Sequence, residues 1–120
     1  MRRRILLPFL TLLLYGFISL TPEEIECEHA AAAIEDCCPE VDFTSLTCVA
    51  DATCGPQVFP AFDEATSECL QQLSCDEMRA IGETGQSVCE RIDLALMDRR
   101  ERYDELETDE DLEPIEGVCP

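Results

Sequence analysis

Cysteine carries most of the chemical potential of this chain, with nine in 120 residues. The positions are Cys27, Cys37, Cys38, Cys48, Cys54, Cys69, Cys75, Cys89 and Cys119. A structural zinc site draws on C-x2–4-C knuckles or histidine pairs. No two successive cysteines here are two to four residues apart, and the chain has one histidine. Redox catalysis and haem attachment rest on C-x-x-C and C-x-x-C-H, and both are absent. Disulfide formation is the chemistry that remains.

His29 stands two residues from Cys27, but positions two apart on a helix do not face each other. It is read as a partly exposed helix residue. A Ser-His-Asp or metal-histidine site has no further histidine to draw on. The 27 acidic residues offer carboxylates in plenty, yet a short chain with so few aromatics is a poor host for a sugar cleft. The run Asp109-Glu110-Asp111-Leu112-Glu113 lacks the alternating ligands, central glycine and distal glutamate of a calcium loop. The expectation is therefore no catalytic residue, no metal ligand and no cofactor.

The elements that must position the cysteines are helical. Thr21-Pro22-Glu23-Glu24 combines an N-cap, a proline suited to the first turn and a capping box. The helix it opens should run to about Asp36 and stop before Pro39. Cys27, Ala30, Ala31, Ile34, Cys37 and Cys38 share its inner face. A short helical turn is expected from Ser45 to Thr53, ended by Gly55-Pro56. A second helix is predicted over Phe62 to Leu73, with Phe62, Ala65, Cys69, Leu70 and Leu73 inward. Ser74-Cys75-Asp76-Glu77 reads as another capping box, opening a short helix that stops at Gly82. A long helix begins at Ser87, with Cys89, Ile92, Leu96, Tyr103 and Leu106 inward. Asp98–Arg102 and Arg100–Asp104 are favourable pairs along it. No alternating run suggests a strand.

Helix geometry constrains the bridges. Cys27 and Cys37 are ten residues apart, about 15 Å along a helix, while a disulfide needs Cα atoms within about 7 Å. Neighbouring Cys37 and Cys38 are poor partners for each other. All three should reach outward to other segments. Eight cysteines, from Cys27 to Cys89, are expected in bridges of open connectivity. Cys119 is the candidate odd thiol, free to make a disulfide-linked dimer or to hold a partner; the alternative is a bridge back to the core that pins the tail and leaves another cysteine odd. Pairing of both Cys48 and Cys54 with Cys69 and Cys75 is excluded, since it would strand a cysteine of the first helix.

Residues 1–20 have three arginines followed by an uncharged apolar run from Ile5 to Leu20. This is the layout of a secretory signal. The run is shorter than the roughly 20 residues of a spanning helix, so cleavage is favoured over an anchor through residues 5–20. The expected organisation is a signal at 1–20, a disulfide-rich helical domain at 21–107 and a flexible acidic tail at 108–120 ending in Cys119. Eight of the 13 residues from Asp104 to Glu116 are acidic, a composition that repels itself. Formal net charge is −19 at pH 7, which argues against nucleic acid or an anionic membrane surface as partners. The leader, Cys37-Cys38-Pro39 and Leu73-Ser74-Cys75-Asp76-Glu77 resemble small exported cysteine-rich bacterial proteins of unknown function. That resemblance covers residues 1–92 and brings no site residues with it.

The resulting expectation is an all-α, disulfide-stapled bundle of three or four short helices with a disordered acidic C-terminal tail. Its location is secreted or periplasmic, and its role is that of a non-catalytic interaction or surface module with a protein partner. A secreted inhibitor or effector binding a basic protein through the acidic face is the alternative, and a small hydrolytic enzyme a remote one.

Overall fold

Three capping boxes set the helix starts. Thr21 accepts a hydrogen bond from the Glu24 amide at 3.3 Å, and Glu24 accepts from the Thr21 amide at 2.6 Å. The same exchange recurs at Ser74–Glu77 with 3.2 and 2.7 Å. It recurs again at Ser87–Glu90 with 3.2 and 2.9 Å. Each box satisfies two backbone donors that a helix start leaves without partners. The computed structural model describes residues 20–50, 57–105 and 111–120. It contains α1 (Pro22–Cys37), a 3-10 turn (Phe43–Ser45), α2 (Glu64–Gln72), α3 (Cys75–Arg79) and α4 (Val88–Glu105). Residues 1–19 of the expected leader, Leu106 and the start of the acidic tail lie outside the described residues, as does the 51–56 part of the turn predicted after Ser45.

The fold is an all-α, disulfide-stapled bundle. Among the described residues the only strand-like pairing is one parallel bridge between Val58 and Leu112. The long inner face of α1 is buried as its spacing requires: Cys27, Ala30, Ile34 and Cys38 are inaccessible. Phe62, Leu70, Met78, Ile92 and Leu96 complete the centre, with α2 packed most extensively on α1. At the end of α1 the Arg79 Nε donates to the Cys37 carbonyl at 2.6 Å. A cation there satisfies a terminal acceptor and opposes the negative end of the helix dipole.

Local expectations shift in three places. Asp63, not a residue before Phe62, caps α2 by accepting from the Thr66 amide at 2.7 Å. Phe62 is fully buried just ahead of that helix, Ser67 joins the inner face, and Ala65 is exposed. The turn predicted after Ser45 is instead a 3-10 turn over Phe43–Ser45, because Asp42 accepts from the Thr44 amide at 2.9 Å. Helix α3 ends at Arg79 rather than Gly82.

The largest correction is at the C-terminus. Residues 111–120 are not a free tail: Leu112, Ile115 and Val118 are 4%, 7% and 2% exposed. The Leu112 amide donates to Gln57 O at 2.8 Å, the Phe59 amide to Leu112 O at 3.1 Å, and the Ile115 amide to Ala61 O at 2.7 Å. Asp111, Glu113 and Glu116 face solvent. Averaging over the segment hides an apolar residue at every third position, and these three are what the core receives. Gly117, at φ 73°, turns the chain in a backbone conformation that side chains with a Cβ disfavour.

Candidate functional site

All three α1 cysteines bridge outward. Cys27 pairs with Cys48, Cys37 with Cys75 and Cys38 with Cys89, at Cα separations of 5.5, 4.8 and 5.6 Å. Helix α1 is thereby joined to the 46–50 stretch, α3 and α4. At the start of α1, Glu24 also accepts from the Ala50 amide at 2.9 Å, beside the Cys27–Cys48 bridge. The Thr21 amide first, and the Ala50 amide second, hold the Glu24 carboxyl below its ordinary value of 4.5. Four bridges among the described residues belong to an oxidising compartment. No described helix is long and apolar enough to cross a membrane.

Cys119 is not the odd thiol. It pairs with Cys69 on α2, at a Cα separation of 6.5 Å. Burial of Leu112, Ile115 and Val118 carries the end of the chain back to the core and within reach of α2. The structure thus takes the core-bridged alternative, and the odd-thiol reading fails for the same reason as the expected free tail. The four bridges account for eight of the nine cysteines. The ninth, Cys54, lies outside the described residues.

The sequence reading missed Arg99. Ile92, Leu96 and Arg99 lie on one stripe of α4, and Arg99 is 4% exposed. Its guanidinium donates through one terminal nitrogen to the Glu113 carbonyl and through the other to the Phe59 carbonyl. It thus clasps the C-terminal segment to the 57–61 segment. Burial pushes the Arg99 pKa below its ordinary value, but an arginine remains charged at neutral pH. A charged residue at an inward position of a helix stripe was the available signal. Tyr103, expected inward, is 57% exposed. One turn beyond Arg99, α4 has run past the core.

A pocket of about 420 Å³ opens beside this clasp, between the 3-10 turn, the end of α4 and the paired segments. Leu46, Val58 and Leu112 form an apolar wall, and Arg99, Arg100 and Tyr103 a polar one. Arg100 is exposed and 4.0 Å from Asp42. The predicted Asp98–Arg102 pair forms at 2.9 Å. His29 is exposed on α1, apart from this pocket. Among the described residues, no group of histidine, cysteine and carboxylate side chains is arranged to hold a metal ion. No protein-family model, curated protein or solved structure matches the chain.

Proposed function

We propose that the chain is a secreted or periplasmic, non-catalytic interaction or surface module, exported by residues 1–20, that joins a protein partner or a second copy through Cys54. The observation that carries this reading is the bridge count. Eight described cysteines pair with one another, and a sulfur forms one disulfide, so none of these eight is left for Cys54. An odd cysteine in an exported protein points to intermolecular pairing. A scaffold with four internal bridges suits this role, because it holds its shape outside the cell without a large apolar core.

Gels of the exported protein run with and without reductant, beside intact mass after thiol alkylation, test it. A reductant-sensitive dimer or adduct that disappears in Cys54→Ser is the expected result. A monomer in which Cys54 is fully alkylated without prior reduction overturns it. The same mass reads whether residues 1–20 are removed or retained as an anchor.

The acidic exterior supports a second reading, an inhibitor or effector of a basic protein. Glu23, Glu28, Glu35 and Asp36 are exposed along α1. Partner capture that is lost at raised salt and survives reductant favours this reading, because exposed charges are screened by salt. Capture lost to reductant and indifferent to salt favours the Cys54 linkage.

A further inference from the structure

We infer that the pocket beside Arg99 binds a small organic monocarboxylate with an apolar body, its carboxylate on the Arg99 guanidinium and its body against Leu46, Val58 and Leu112. This goes beyond the partner linkage through Cys54 and does not depend on it.

Arg99 carries the argument. A fully buried arginine is ordinarily paired with an acid. This chain has 27 acidic residues, yet the described ion pairs involve Arg100 and Arg102 rather than Arg99. Among the described residues, Arg99 has only the two carbonyl acceptors, and its Nε is buried without a hydrogen-bond partner. A guanidinium has five N–H donors, disposed so that adjacent ones meet both oxygens of a carboxylate. The described structure therefore supplies a desolvated cation with no described carboxylate partner, lining an adjoining cavity.

The cavity selects the rest of the ligand. Its volume, about 420 Å³, lies within the usual range for small-molecule sites, and its mixture of an apolar wall with few polar groups is also usual. Asp104 lines the rim, and Arg100 is already next to Asp42. A multiply charged phosphate would meet the repulsion of Asp104 and of the acidic surface with one buried cation to offset it. A single carboxylate on an apolar chain meets one cation with one charge and covers the apolar wall.

Calorimetric titration of the oxidised protein with octanoate, octanol and inorganic phosphate tests the inference. Octanoate is expected to saturate at one per chain. Octanol should bind at least about tenfold more weakly, the loss expected when a charge-assisted hydrogen bond is removed. Phosphate should not displace octanoate. Two variants locate the site. Val49 lines the pocket and is 54% exposed, so Val49→Trp fills the space without disturbing the core and should weaken octanoate about tenfold at an unchanged melting temperature. Arg99→Lys keeps the charge but not the planar fork and should also weaken binding. Absence of saturable octanoate binding, equal binding of octanol, displacement by phosphate, or undiminished binding in Val49→Trp would each overturn the inference.

Discussion

Three bridges leave α1 from a helix that its own residues already specify. One bridge, Cys69–Cys119, holds a C-terminal segment with no regular structure of its own. In the hub, local hydrogen bonds form first in the logic of the chain. Thr21 and Glu24 cap the start, the apolar stripe turns inward, and the cysteines sit at places the helix has already chosen. In the C-terminal segment the order is reversed. Leu112, Ile115 and Val118 are buried, but no described helix or capping box fixes the segment that carries them. Their positions depend on Gln57, Phe59 and Ala61 across the chain and on the two carbonyl contacts of Arg99. Disulfides thus reinforce a locally encoded element in one region and complete a tertiary one in the other.

Breaking the hub should have the largest effect. The Cys38–Cys89 bridge closes 51 residues of separation and is buried at both ends. Replacing both cysteines by alanine should cost about 3–5 kcal/mol, since a small domain relies on such cross-links. Thermal and denaturant unfolding of the double variant checks this. A stability unchanged within error would remove the distinction between the regions.

Replacing Cys69 and Cys119 together should cost less overall, about 2–4 kcal/mol, and act locally. Hydrogen exchange at the Leu112 and Ile115 amides should accelerate, while α1 amides stay protected. Equal acceleration in both regions would show that the C-terminal segment and the hub unfold as one unit.

Removing a cap is a smaller change. Thr21→Ala should destabilise by about 1 kcal/mol, seen as a lowered melting temperature with the four bridges intact.

The smallest effect expected is pH-dependent. The folded Glu24 pKa lies below its ordinary 4.5, so its stabilising contribution is complete above that value and disappears as pH falls through the folded pKa. Protection factors at the α1 N-terminus, corrected for the intrinsic pH dependence of exchange, should therefore fall in acid, and Glu24→Gln should flatten that dependence. A variant with the same acid sensitivity as the parent would exclude Glu24 as the source.

Much of the helical architecture was legible before any coordinates. Thr21, Ser74 and Ser87 each stand three residues before a glutamate, and that spacing alone marks helix starts. Rise per residue was enough to forbid a bridge between Cys27 and Cys37. The C-terminal segment was misread because its acidic residues dominate its composition, while its structure rests on the apolar minority between them. Arg99 was overlooked for a related reason. Its carbonyl partners are 14 and 40 residues distant, and no local pattern advertises them.

The sequence by itself determined the helices, the outward reach of the three α1 cysteines and the reliance on cross-links, because capping, helical spacing and chain reach act over a few residues. Tertiary structure decided that Cys69 takes Cys119, that the acidic C-terminus docks and that a buried guanidinium borders a pocket. Those outcomes depend on which distant apolar and polar groups meet once the core closes. Short-range hydrogen bonding has a period that can be read along the chain, whereas contacts across tens of residues have none.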